Sequence, residues 1–159
     1  MMCKKSRCFL GELMYVNSSV SWLEALDWCE QRGLRLLHIL SEATQTQLNL
    51  LLSSLEPPYG PADIVWVGLV HCFLQPRETW EWLEGPLERY THWHPTDFPR
   101  WRFGYHCGQV TKAESGDYMW LDDCCSRKRP FVCQKVTDGR SKGTNPARGG
   151  RAPCYQRYT

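Results

Sequence analysis

Trp120-Leu121-Asp122-Asp123-Cys124-Cys125-Ser126-Arg127-Lys128-Arg129-Pro130-Phe131-Val132-Cys133 decides how this chain is read. The stretch gathers a tryptophan, two adjacent acids and three cysteines, and it closes on an apolar pair, Phe131 and Val132, that runs into a thiol. Thiols this dense need an explanation from the rest of the chain. The 159 residues carry nine cysteines and eight tryptophans, with a formal net charge of +2. That length predicts one domain. Cysteine at this density predicts structural disulfides and an oxidising compartment. Zinc would call for paired CxxC or CxxH spacing, and the sequence has no CxxC. An odd count leaves at least one thiol free or paired between chains; Cys154 would permit a disulfide-linked dimer.

A charge of +2 does not by itself call for a polyanion partner, and no nucleic-acid partner is expected. The distribution is uneven. Residues 1–7 are a short basic segment, and the domain is expected over residues 8–136. Residues 137–159 form a Gly-, Pro- and Arg-containing tail that reads as disordered and solvated, with five bases from Asp138 onward (Arg140, Lys142, Arg148, Arg151 and Arg157). No segment approaches the apolar length of a membrane span. The opening residues lack the apolar core of a secretory signal. Set against the cysteine count, this predicts an extracellular domain, secreted or an ectodomain fragment, that lacks its leader.

Outward from the central stretch, the elements follow from local patterns. Phe9 to Val16 fits a first strand. Asn17-Ser18-Ser19 is an N-glycosylation acceptor. Ser21-Trp22-Leu23-Glu24 is a capping box, and Trp22, Ala25, Leu26 and Cys29 then share one helical face that Gly33 ends. Leu34 to Leu40 reads as a short buried strand. Ser41 opens a second helix with the stripe Leu48, Leu51, Leu52 and Leu55, which Pro57-Pro58 ends. Ile64 to Leu69 is a continuous apolar run, as in a central strand. Trp80 to Leu83 alternates and meets a turn at Glu84-Gly85. Pro86 to Tyr105 is a long loop, of a length that is usually functional. Strands at Cys107 to Val110 and Tyr118 to Leu121 bracket a polar turn, and Phe131 to Lys135 closes the fold.

Taken together, these motifs resemble a known family. Trp66-Val67-Gly68-Leu69 resembles the WIGL strand of C-type lectin-like domains, and Trp80-Glu81-Trp82-Leu83-Glu84-Gly85 resembles their WxWxDG turn. Ser21 to Cys29 is similar to their first helix. Trp120-Leu121-Asp122, Cys125 and Phe131-Val132-Cys133 are similar to their closing signature. The likeness runs from about Cys8 to Lys135. It implies an α+β fold, two helices flanking small, mostly antiparallel sheets, with a long loop region that carries the binding site. It also implies the disulfides Cys29–Cys133 and Cys107–Cys125. Cys72 and Cys124 remain inside the domain and are expected to pair, since both flank predicted strand ends. Cys3 and Cys8 could bridge locally.

In sugar-binding members of the family a calcium ion is held by a Glu-Pro-Asn or Gln-Pro-Asp triplet, an acid before the third cysteine and an Asn-Asp pair after the tryptophan. Calcium takes roughly six to eight oxygens. In this chain the triplet position falls on Asp97-Phe98-Pro99, the acid position on Tyr105-His106 and the asparagine position on Leu121. Asp97 and Asp122 are the remaining metal-ligand candidates of a weak, degenerate site, and no cofactor is expected. The loop offers aromatic surface instead. Trp101, Phe103 and Tyr105, interleaved with Arg100 and Arg102, are the candidate ligand contacts beside Asp97 and Asp122. Aromatic plus arginine is an interface composition and also suits stacking on sugar faces. No catalysis is expected: His92 and His94 lack a carboxylate or thiol placed to complete a zinc set, and Cys72 reads as half of a disulfide. The expected function is a recognition module for a glycan. The alternative is a protein-ligand-binding domain of immune-receptor type, with a cell-surface protein as partner.

Overall fold

The computed structural model describes residues 1–72, 79–83, 85–87, 89–95 and 106–136. In chain order the elements are β1 (Met2–Lys4), β2 (Arg7–Leu10), β3 (Leu13–Val20), α1 (Trp22–Gln31), β4 (Leu34–Leu36), α2 (Glu42–Ser53), β5 (Ile64–Cys72), β6 (Thr79–Trp82), β7 (Gly85–Pro86), β8 (Cys107–Lys112), β9 (Tyr118–Asp123) and β10 (Arg129–Lys135). The α+β architecture with two helices and mostly antiparallel pairing is the expected one.

Both helices start where their caps put them. The Ser21 hydroxyl accepts from the Glu24 amide at 3.2 Å, and Glu24 Oε1 accepts from the Ser21 amide at 2.9 Å. These bonds satisfy amides that the first turn of α1 leaves without helical partners. Ser41 caps α2 through the Thr44 amide at 3.3 Å. The predicted faces are the buried ones: Trp22, Ala25, Leu26 and Cys29 on α1, and Leu48, Leu51 and Leu52 on α2. Trp22 also donates its indole N–H to the Val67 carbonyl at 2.9 Å, which ties α1 to β5.

The strands join in the order β1-β2-β3-β10-β5-β6-β7, with β4 on β10 and β8 bridging β5 to β9. β10 is the junction. It runs antiparallel to β3 and β4 and touches β5 in parallel through Phe131 and Trp66. Phe131, Val132 and Cys133 are accordingly all buried, rather than alternating as an edge strand would. One side of this junction packs Trp22, Leu26, Trp66 and Phe131 against α1; the other packs Leu48, Leu51, Val67, Trp82 and Trp120 against α2. Gly68 lets β5 cross the chain after β4 closely: its amide donates to the Leu37 carbonyl at 2.8 Å, and a Cβ there would lie 2.8 Å from the Leu36 carbonyl oxygen.

Two differences from the sequence reading concern cysteines. Residues 1–7 were expected to stand before the domain. They instead form β1 and open β2, a hairpin joined to β3 and closed by Cys3–Cys8. The lysines and arginine at its tip hide the strand pattern in the sequence. The second difference is at Cys124. Cys29 pairs with Cys133 and Cys107 with Cys125, but Cys124 is a free thiol, so the expected Cys72–Cys124 bridge does not form. Cys107 sits opposite Asp123 in the β8–β9 ladder. The chain turns just beyond that pair and delivers Cys125, not Cys124, to Cys107. The Cys124 thiol lies 3.2 Å from the Ser126 hydroxyl, and that contact lowers its pKa from the ordinary thiol value.

Candidate functional site

The long loop is anchored at both ends by backbone bonds to the same part of the sheet. On entry, residues 92–94 run alongside β9: the Trp120 amide donates to the His92 carbonyl and the His94 amide to the Trp120 carbonyl, each at 2.8 Å. Trp93 and Trp120 form an isolated parallel bridge. On return, the His106 carbonyl accepts from the His71 amide at 2.8 Å, and the chain enters β8. The loop thus leaves from the outer side of β9 and returns beside the C-terminal part of β5.

A connected layer of rings links these two ends. The Trp120 ring meets Trp82 and Trp93 edge-on at 5.2 Å each, and Tyr90 at 5.9 Å. Trp93 continues to Trp80 at 5.7 Å, Trp80 stacks on His71 at 5.2 Å, and His71 stacks on His106 at 5.5 Å. These separations fall in the range where edge-to-face and offset geometries are favourable. Trp80 and Trp93 are half-buried, while Trp82 and Trp120 are buried.

A hydrogen-bonded chain fixes the layer from below. The Trp120 indole donates to Gln45 Oε1 at 2.8 Å, and Gln45 Nε2 donates to the Tyr118 carbonyl at 3.0 Å and Asn49 Oδ1 at 2.9 Å. Asn49 Nδ2 reaches Asp117 Oδ1 at 3.2 Å, and Asp117 Oδ2 lies 2.8 Å from His92 Nε2. Buried Gln45 is therefore a polar group with its partners in place, not a gap in the α2 stripe. Burial, followed by the Glu42 carboxylate, pushes the Tyr90 phenol above its ordinary range. The His71 and His106 Nδ1 atoms are 3.3 Å apart.

Of the residues singled out from the sequence, Asp97, Trp101, Phe103 and Tyr105 lie outside the described residues. Asp122 is on β9 opposite Gly108 and is 1% exposed. Its neighbour Asp123 is committed elsewhere: it accepts from Arg129 Nη2 at 3.0 Å, from the Cys124 amide at 2.7 Å, and pairs with Arg127 at 3.4 Å. Asn17 lies exposed on β3, its side-chain Nδ2 donating to the Pro58 carbonyl at 3.2 Å.

Calcium does not fit what is described. Leu121 brings no side-chain oxygen, and His106, at the position before Cys107, brings an imidazole already engaged with His71. Among the described residues Asp122 is the one carboxylate at the positions implied by the resemblance, against the roughly six to eight oxygens calcium takes. No group of three or more His, Cys, Asp or Glu side chains that could hold a metal is found among the described residues. The His71–His106 contact had no signal in the sequence. It is set by the register Val70–Cys107 between β5 and β8, which brings together residues 35 apart in the chain.

Comparison with known proteins gives the geometry a lineage. The family model described as Lectin C-type domain matches residues 18–135. The chain is 32% identical over 132 residues to C-type mannose receptor 2 of Homo sapiens, covering 83% of this chain and 8% of the receptor. Among solved structures, ovocleidin-17 of the Gallus gallus eggshell calcified layer superposes with a TM-score of 0.66 at 24% identity, over 86% of this chain and 100% of that one. The C-type lectin domain of murine dendritic cell inhibitory receptor 2, solved in complex with N-glycan, superposes with a TM-score of 0.57 at 22% identity, over 84% and 98%.

Proposed function

The chain belongs to the C-type lectin domain family, and from that premise we propose that it is a non-enzymatic recognition module that binds glycans through its long loop without a full calcium shell. The observation that carries this reading is the ring layer from Trp120 through Trp93 and Trp80 to His71 and His106, which underlies both ends of the loop. Between those two anchored ends the sequence carries Trp101, Phe103 and Tyr105, rings of the type that stack on sugar faces. Asp97 is the loop's carboxylate for sugar hydroxyls. Asp122 is almost fully buried, so its effect on a ligand is indirect. The N-glycan held by the murine domain belongs to the ligand class proposed here. The disulfides support an extracellular location, where exposed Asn17 would be a glycan acceptor. Among the described residues no helix is long and apolar enough to cross a membrane.

Calorimetry with calcium, alone and with mannose or galactose, together with a glycan array probed by the wild type and by Trp101→Ala, tests the reading. The expected result is no sugar-dependent calcium heat, and array signals that fall about tenfold or more in Trp101→Ala. Sugar-dependent calcium binding that Asp122→Ala abolishes would overturn the calcium-free mechanism. A blank array together with saturable binding to a cell-surface protein would replace glycan recognition with protein recognition.

A further inference from the structure

The hairpin at the far edge of the sheet from β6 and β7 carries a second feature, independent of the loop reading. Its tip is Lys4-Lys5-Ser6-Arg7, stapled by Cys3–Cys8 one pair behind. Lys4 and Arg7 are direct partners across the two strands, so their side chains rise from the same face. Like charges in that relation destabilise a hairpin. The Arg7 guanidinium lies 4.9 Å from the centroid of Trp28 on α1, and the Arg32 guanidinium lies 3.8 Å from the same ring. One indole therefore gathers two cations beside a third.

No carboxylate joins this group: among the described residues, no ion pair links Lys4, Lys5, Arg7 or Arg32 to an acid. Nearby bases behave differently. Lys128 pairs with Glu24 at 3.0 Å, and Arg127 and Arg129 pair with Asp123 at 3.4 and 3.0 Å. The turn is also costly. Lys5 and Ser6 both hold positive φ, 51° and 67°, where two-residue hairpin turns favour Asn-Gly. Side chains with a Cβ are less stable there, so the tip accepts backbone strain as well as charge repulsion. An anion lodged among the cations would offset the repulsion.

We infer that the tip formed by Lys4, Lys5 and Arg7, with Arg32 and Trp28 beside it, is a binding site for a sulfated polysaccharide. Arginine's planar fork matches the oxygens of a sulfo group, and Trp28 holds two such forks in place. An oxidising compartment supplies sulfated glycans as its linear polyanions. The tip, residues 4–7, has no apolar side chain to insert into a bilayer, which sets it apart from an interfacial membrane anchor.

The test is titration of the full chain with a heparin-derived octasaccharide at about 0.1 M salt, beside a desulfated octasaccharide and vesicles rich in phosphatidylserine. Lys4→Gln/Arg7→Gln is expected to weaken octasaccharide binding about tenfold or more, and the desulfated sugar to bind no variant. Lys5→Gln/Arg32→Gln, which leaves the β1–β2 pairing untouched, gives the same loss if the first variant proves unstable on melting. Octasaccharide affinity within twofold of wild type in a folded hairpin variant overturns the assignment. So does equal binding of the desulfated sugar. Loss only when Arg140, Lys142, Arg148, Arg151 and Arg157 are changed to glutamine assigns the effect to the tail and overturns it too. Hairpin-dependent vesicle binding without octasaccharide binding replaces the glycan with a lipid surface.

Discussion

His38 shows how much one side chain can reveal about this core. It is buried, tilted against the Trp82 ring at 5.6 Å, and burial, with the Arg35 charge adding to it, drops its pKa from 6.5 to about 3. The folded state therefore keeps a neutral imidazole that the unfolded chain protonates below pH 6.5. Stability is unaffected above that pH and is lost as pH falls from 6.5 toward 3, at up to about 1.4 kcal/mol per unit. Glu24 acts in a lower window that overlaps the His38 one only below about pH 4.5: its pKa is held down to about 2 by the Ser21 amide and Lys128, so its contribution is lost as pH falls from about 4.5. Between pH 6.5 and 5, urea denaturation of His38→Phe should show a flatter pH slope than the wild type; identical slopes would refute the assignment. At this scale the sequence offered Asp122 as a candidate but gave no warning that Asp123 is tied to Arg129, or that His71 and His106 touch. Those relations depend on strand register and on a turn, neither of which a single sequence displays.

At the scale of elements, both helices were legible because their caps and apolar stripes are local signals. The first hairpin was not, because Cys3 and Cys8 pair across a turn whose residues favour other conformations. The most exacting element contact is at Gly68. Gly68→Ala would drive a methyl to 2.8 Å from the Leu36 carbonyl oxygen and 2.9 Å from the His38 ring. Neither neighbour is the free end of a flexible side chain. β5 must shift away from the 36–38 segment, at a cost of about 1–3 kcal/mol. Chemical denaturation of the purified variant measures it; a change under about 0.5 kcal/mol would mean that the contact is softer than drawn.

For the molecule as a whole, the long bridge dominates. Cys29–Cys133 closes 104 residues, and on the chain-entropy account such a loop restricts the unfolded state by about 4–5 kcal/mol. Cys29→Ser/Cys133→Ser should lose a comparable amount, read as a drop in melting temperature on the order of ten degrees or more for a domain of this size. Loss of Cys107–Cys125, which spans 18 residues, should cost less. The family signature could be read from residues 120–133, and the resemblance it carries implied two of the bridges. The free thiol of Cys124 could not be read: the sequence offered Cys72 as its partner, and pairing with Cys72 depends on where the turn after Asp123 points Cys124, which no local pattern shows.

The position of β10 also bears on the order of synthesis. Strands β3, β4 and β5 all wait for a partner that is translated last among the elements described. Until residues 129–135 leave the ribosome, those three edges stand open and Cys29 has no Cys133 to meet. A nascent chain stalled before Arg129 would present unpaired strand edges and an unsatisfied thiol together, the combination most exposed to aggregation and to thiol mispairing.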